Sequence, residues 1–419
     1  YIHVLYCMIE SYIIIGLCAL IILSYFYNLI GRHLRIPSVL LLLGTGVLCK
    51  WLATYYGFNI EIPTSVISIV GSVGLILIVL EGTLDIKFTR DKAKILGSAF
   101  LVCIFLVACS TVGIGWLIVR ETCSSWHNAL PYAISLSVIS SAIVIPTVES
   151  MAWRTKEFML YESILSDIIG IIVFNVVAFD QLSNDIGPYL NLGGQIVLML
   201  IVSVLFSLMM VWLMAKIRTR VRFYLILAIV VLVYESGNLL HLSSLLLIMC
   251  FGLVLNNIDL LDNALVNSKR AFWQRIGKKI YNTIQDAYKS IDGFKPMVVE
   301  TAFIIRTIFF FMFGYSINLN GLLDTQSLLF SAYILAIMYA LRYVNLKFFA
   351  RSSVFPEILI YPRGLTTILL YYSIPLASHI NGLNSSMFFT IVIVTNLLMM
   401  IGVIFSKNEE MKIEEDIFT

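Results

Sequence analysis

Two carboxylates stand in an otherwise apolar run, YESILSDIIGIIVFN, residues 161–175: Glu162 and Asp167. An ionised side chain near the middle of a bilayer costs at least about 2.5 kcal/mol, and acids in such places mark pathways or pairs. Desolvation favours the neutral form of a carboxyl group, so a buried acid can trade a proton for a small cation. On a helix the two acids are separated by about 140° of rotation and about 7.5 Å of rise. They therefore meet different neighbours. Ser163 shares the face of Asp167 and is a candidate hydroxyl ligand, whereas Ser166 is expected to sit with Glu162.

Permanent positive charges are the natural partners for one of these acids. Three arginines lie in apolar surroundings: Arg306 in FIIRTIFFFMFG, Arg342 in MYALRYVNLKFF and Arg363 in YPRGLTT. A guanidinium in hydrocarbon needs a carboxylate or freed carbonyls. Glu162 with Arg342 is the preferred pair, an ion pair that fixes helix packing; Arg306 is expected either to pair or to reach an interface. Glu81, in LEGTLDI, and Glu149 fall near the cytoplasmic ends of their spans.

These residues need helices to carry them. The chain is 60% hydrophobic and 13% charged over 419 residues, the composition of a polytopic membrane protein. Its apolar runs have the length of helical spans rather than the short alternation of a barrel. Thirteen spans are predicted, at about 12–30, 36–54, 65–84, 95–119, 130–150, 157–179, 194–215, 222–238, 240–256, 299–318, 327–350, 357–376 and 386–406. Basic residues cluster in alternate loops: Arg32 and Arg35, then Lys87 to Lys94, Arg154 and Lys156, Lys216 to Arg222, Lys269 to Lys295, Lys347 and Arg351, and Lys407 and Lys412. By the positive-inside rule the N-terminus is outside and the C-terminus cytoplasmic, in a cell membrane of bacterial inner-membrane type. The net charge of +3 thus records topology and predicts no nucleic-acid partner.

Two spans are broken by sequence. In SLSVISSAIVIPTVES, Pro146 cannot donate to the carbonyl of Ala142, and Ser137, Ser140 and Ser141 place oxygens just before it. In YPRGLTTILLYYSIP, Pro362, Gly364 and Pro375 interrupt a second span beside Arg363, Thr366 and Thr367. Spans 5 and 12 are seven apart and run in opposite directions, as inverted repeats require. The predicted architecture is one all-α transporter domain, 1–406, with inverted halves at about 12–179 and 222–406, a linker span at 194–215, and crossed discontinuous helices meeting near midplane. Arg363 would offset the negative ends of the half-helices. A basic amphipathic segment at 257–296 is expected on the cytoplasmic leaflet, followed at 407–419 by a short cytoplasmic tail. The seven cysteines are scattered without paired or ligand spacing. No hydrolase, nucleotide or zinc motif occurs, so no enzyme activity, cofactor or metal is predicted.

At these residues the sequence resembles the monovalent cation:proton antiporter superfamily, of sodium/proton exchanger type, over essentially its whole length. IPSVLLLLGTGVL and LILIVLEGTLDI resemble its early signatures, SSAIVIP its broken fifth helix, ESILSD its sixth-span acidic segment, RTIFFFMFG its tenth helix, ALRYVN its eleventh and PRGLT its broken twelfth. The resemblance implies Na⁺ or K⁺ exchanged for H⁺, with both competing for Asp167 assisted by Ser163, Ser140 and Ser141. It implies a Glu162–Arg342 support, Arg363, Pro146 and Pro362 at the helix breaks, lesser roles for Arg306, Thr366 and Ser166, and a homodimer with a mobile core in the lipid bilayer. Ser166 stands where the family has Asn in its electroneutral branch and Asp in its electrogenic one, so a single carboxylate points to electroneutral exchange. SSA in place of TDP is closer to the potassium-efflux branch. An organic-anion symporter on a similar fold and a channel-like cation efflux protein are the alternatives, distinguished by an arginine facing the cavity and by proton-independent flux respectively.

Overall fold

The computed structural model describes residues 2–34, 37–58, 61–84, 86, 93–148, 151–179, 187–217, 222–239, 244–257, 271–317, 324–350, 355–375, 378–380 and 382–418. Every regular element among them is a helix, as the apolar run lengths predict. In chain order these are α1 (Ile2–Leu34), α2 (Ser38–Tyr55), α3 (Thr64–Thr83), α4 (Ala93–Thr122), α5 (Trp126–Ser137), α6 (Ser141–Val148) and α7 (Trp153–Phe179). There follow α8 (Gly187–Lys216), α9 (Arg222–Leu239), α10 (Ser244–Asn256), α11 (Ala271–Ser316), α12 (Thr325–Asn345), α13 (Leu365–Tyr372) and α14 (Ser385–Phe418). Nine spans among the described residues are long and apolar enough to cross a membrane, one of them being α5 and α6 together. Residues Ile201–Met214, Phe223–Gly237 and Ser244–Asn256 form shorter apolar helices.

Local chemistry sets several ends. Ser125 caps α5 by accepting from the Asn128 N–H, and Asp324 caps α12 by accepting from the N–H and hydroxyl of Ser327. Those bonds hold the Asp324 carboxyl below its ordinary pKa. Past Asn345, α12 widens into a π-helical turn, Leu346–Ala350. The amphipathic segment expected at 257–296 is outside the described residues at 258–270. From Ala271 onward its backbone is helical and runs without interruption into the span that ends at Ser316. The twelfth span departs from expectation. Of 357–376 only Leu365–Tyr372 is α-helix, because the segment before it, with Pro356, Pro362 and Gly364, forms a turn and then irregular backbone.

Most packing falls within two sets of helices. In one, α2 and α3 lie on α11, with α10 on α8 and on α3; in the other, α4 packs on α5, α7 and α12, and α5 on α13. Gly46 and Gly314 let α2 and α11 touch backbone to backbone: a Cβ on Gly46 would lie 2.3 Å from the Phe311 oxygen, and one on Gly314 would lie 2.4 Å from the Leu43 oxygen. Large apolar side chains point outward on α1 and α8, among them Ile14, Ile22, Phe26, Leu205 and Trp212. In lipid such a surface is solvated. The span formed by α5 and α6 is 83% buried, against 17% for α1, so the broken helix occupies the interior and α1 the rim.

Candidate functional site

The interruption between α5 and α6, residues 138–140, frees backbone groups that must find partners away from water. Every one of its main contacts comes from a predicted site residue or its neighbour. Arg363 Nε donates to the Leu136 carbonyl at 2.5 Å, placing positive charge at the negative end of α5. The Ile139 N–H donates to Ser166 Oγ at 2.9 Å, the Ser140 N–H to the Pro362 carbonyl at 3.1 Å, and the Ser141 N–H to Asp167 Oδ2 at 3.0 Å. Pro146 leaves the Ala142 carbonyl without its helical donor, and Arg306 Nη1 fills that place at 3.0 Å. Gly364 permits this approach of the two segments, since a Cβ there would lie 2.5 Å from Ser140 Oγ and from Ile143 Cδ1.

The second interruption is held from the far side by two residues that sequence reasoning missed. The Arg363 N–H donates to Thr395 Oγ1 at 3.1 Å, and Asn396 Nδ2 donates to the Arg363 carbonyl at 2.8 Å. Both belong to α14 and are fully buried. Their signal was the adjacent polar pair in the middle of VIVTNLLMM.

Asp167 sits at the N-terminal, positive end of α6, where a carboxylate is favoured. It is 1% exposed. Oδ2 accepts from both the N–H and the hydroxyl of Ser141, and the Thr366 side chain interacts with the same carboxylate. Oδ1 has no hydrogen-bond partner among the described residues, and neither do Ser140 Oγ and Thr367 Oγ1. Ser163 is not brought to Asp167: its hydroxyl donates to the Leu160 carbonyl of its own helix at 3.1 Å. Ser166 is turned to the helix break rather than to Glu162.

Glu162 and Arg342 form a fully buried ion pair, both side chains 0% exposed. The contact is two-pronged, Nη1 to Oε1 and, at 2.9 Å, Nη2 to Oε2, which is the strong geometry for this pair. Arg342 also donates from Nη2 to the Glu357 carbonyl at 3.1 Å. Arg306 takes the pairing alternative, binding Glu81 Oε2 at 3.0 Å with both side chains slightly exposed. The arrangement combines a buried carboxylate that has one oxygen without a hydrogen-bond partner among the described residues with a neighbouring acid, Glu162, whose two oxygens are both engaged by a guanidinium.

The family model described as sodium/hydrogen exchanger, transmembrane, matches residues 18–407. A search of curated protein sequences finds no match. Among solved structures, the sodium proton antiporter MjNhaP1 from Methanocaldococcus jannaschii at pH 8 is similar with a TM-score of 0.63 at 17% identity, covering 94% of this chain and 96% of that one. An electron-microscopy map of the same antiporter gives a TM-score of 0.65 at 18% identity, with 96% of each chain covered. The likeness to these structures is one of fold.

Proposed function

Because the chain belongs to the sodium/hydrogen exchanger family, we propose that it is a secondary antiporter in which Na⁺ and H⁺ compete for Asp167. The observation that carries this reading is the state of that carboxylate: one oxygen accepts twice from Ser141, and the other is buried without a hydrogen-bond partner among the described residues, as are the hydroxyl oxygens of Ser140 and Thr367 from the two helix breaks. A buried oxygen of that kind is costly unless a proton or a cation completes it. Either one does so, and not both at once.

Ser140, Ser141, Thr366 and Thr367 supply hydroxyl oxygens of the hard kind that small monovalent cations take, and Ser163 lies outside this set. Glu162 and Arg342 neutralise each other and hold α7 to α12. Arg363, Pro362 and Pro146 maintain the breaks, which cross near midplane in an inverted-repeat core at about 12–179 and 222–406. Ser166 adds a hydroxyl and no charge, which supports one-for-one, electroneutral exchange. The cation is Na⁺, with K⁺ the alternative that the SSA segment points to. The helix set around α2, α3 and α11 forms the homodimer, and the set holding Asp167 moves to give alternating access. The N-terminus faces outside and the C-terminus the cytoplasm of a cell membrane. The organic-anion reading needs Arg306 or Arg363 open to the cavity; Arg306 is instead committed to Glu81 and the Ala142 carbonyl, and Arg363 is fully buried with its Nε on the Leu136 carbonyl.

In proteoliposomes with an imposed pH gradient, adding Na⁺ should dissipate the gradient without building a membrane potential, and Asp167→Asn should abolish the response. Raising the pH removes the competing proton, so the apparent KM for Na⁺ should fall about tenfold per pH unit while the site is protonated and then level off. The same titration with K⁺ identifies the preferred ion. A response that survives in Asp167→Asn overturns the site.

A further inference from the structure

Two fully buried guanidiniums share one aromatic ring. Arg363 lies over Tyr361 at 3.9 Å from guanidinium carbon to ring centroid, and Arg342 lies over the same ring at 5.1 Å. Tyr361 itself is 0% exposed and its hydroxyl sits 3.4 Å from Ser110 Oγ. The two arginines are not equally served. Arg342 has the Glu162 carboxylate and the Glu357 carbonyl. Arg363 has one hydrogen bond from Nε, and both of its Nη atoms lack a hydrogen-bond partner among the described residues.

A buried cation with two empty donor nitrogens needs a negative surface. The face of Tyr361 provides one at 3.9 Å, and a cation–π contact is stronger when desolvated, as here. The competing surface lies at the same helix break: the Ser140 N–H is held by the Pro362 carbonyl next to Arg363, the adjacent Ser141 N–H is held by Asp167 Oδ2, and Asp167 Oδ1 has no hydrogen-bond partner among the described residues. Were Arg363 to turn an Nη atom onto that oxygen, a charge-assisted hydrogen bond would form, and the oxygen would no longer be available to a cation or a proton.

We propose that Tyr361 is a positioning residue for ion exchange: its ring holds the Arg363 guanidinium against the Leu136 carbonyl and away from Asp167, so that Asp167 keeps an oxygen free for the transported ion. This rests on the reading of Asp167 as the ion site. The ring acts through its π-face rather than its hydroxyl. Tyr361 touches neither ion.

The test compares Tyr361→Phe, Tyr361→Leu and a series with fluorinated phenylalanines at 361, in which ring size is nearly constant and the negative face is progressively lost. Apparent Na⁺ KM is measured in proteoliposomes, and Na⁺-dependent thermal stabilisation of the detergent-purified protein gives a binding readout independent of transport. Tyr361→Phe should keep the KM within about twofold, Tyr361→Leu should raise it about tenfold, equivalent to about 1.4 kcal/mol, and the fluorinated series should raise it stepwise. Maximal rate at saturating Na⁺ should change far less than KM. Should Tyr361→Leu not fold, the fluorinated series alone decides. An unchanged KM across that series, or a Tyr361→Phe variant as impaired as the fully fluorinated ring, overturns the proposal. Asp167→Asn in parallel separates the two readings: if it retains Na⁺-dependent exchange the ion site is wrong, and if it loses exchange while the ring series is flat only the role of Tyr361 falls.

Discussion

Asp167 and Glu162 lie less than two turns apart on α7 and are buried to the same degree, at 1% and 0% exposure. Their surroundings are opposite. Glu162 meets a guanidinium with both oxygens, and that guanidinium fills its remaining valence with the Glu357 carbonyl. Asp167 meets an N–H and a hydroxyl with one oxygen and nothing described with the other. Burial therefore does not separate a supporting acid from an exchanging one. An open valence does, and it exists here because α5 stops at Ser137 and α6 restarts at Ser141, leaving backbone and hydroxyl groups where helix would otherwise be.

The largest effect that breaks this comparison is on stability, and the two acids should respond in different ways. Glu162→Gln leaves Arg342 charged and without its carboxylate in the protein interior, a loss of about 3–5 kcal/mol. It should lower the thermal unfolding midpoint in detergent sharply. Asp167→Asn removes a charge that is only half compensated and keeps an acceptor for Ser141, so its midpoint should match or exceed that of the parent. Equal destabilisation by the two variants would mean that Asp167 is a structural acid after all.

The pair can also be removed as a unit. Glu162→Met with Arg342→Met exchanges a buried ion pair for apolar groups, which is often neutral or stabilising. The double variant should recover most of what either single change loses, and its coupling, read from the cycle of four proteins, should exceed about 2 kcal/mol. Transport in the double variant should persist at reduced rate, since Asp167 and its hydroxyls are untouched. Complete loss of Na⁺-dependent exchange in a well-folded double variant would place Glu162 in the exchange chemistry rather than beneath it.

Arg306 gives a smaller effect. Arg306→Ala uncaps the Ala142 carbonyl that Pro146 frees and removes the ion pair with Glu81, in which both side chains are partly open to solvent. Surface screening limits the ion-pair share, so the expected loss is about 1–2 kcal/mol, mainly from the carbonyl. Replacing Pro146 with Ala in the same background should restore part of it, because the helix can then supply its own donor to Ala142. No restoration would show that the stabilisation comes from Glu81 instead.

How much of this was legible in the sequence follows from what kind of information each feature needs. The helical class, both breaks and the charges Glu162, Asp167, Arg306, Arg342 and Arg363 are legible because lipid makes every charge and every proline in an apolar run conspicuous. The twelfth span was placed at about 357–376 with breaks at Pro362 and Gly364, whereas the stretch ahead of Leu365, flanked by Pro356 and Pro362, is turn and irregular backbone rather than a first half-helix. Tyr361 and Thr395 were not legible as site residues. An aromatic residue and a threonine are ordinary in a span, and only the fold shows that one underlies two guanidiniums and the other accepts from the Arg363 N–H. Ser166 was assigned to the wrong neighbour for a related reason: helical geometry fixes which face a residue is on, but not that a broken helix will press its free Ile139 N–H against that face.

Ser163 sets the finest test of the contrast on α7. Four residues before Asp167, it was expected to ligate the ion, and its hydroxyl is instead spent on the Leu160 carbonyl one turn back. Such a local bond competes with backbone geometry and adds little stability. Ser163→Ala should therefore change stability by no more than about 0.5 kcal/mol and leave the Na⁺ KM within about twofold, while Ser141→Ala, which removes a hydroxyl donor from Asp167 itself, should alter KM several-fold. If Ser163→Ala instead shifts KM as far as Ser141→Ala does, then α7 must rotate enough during exchange to bring Ser163 onto the ion. The open valence of Asp167 would then be completed from its own helix as well as from the break.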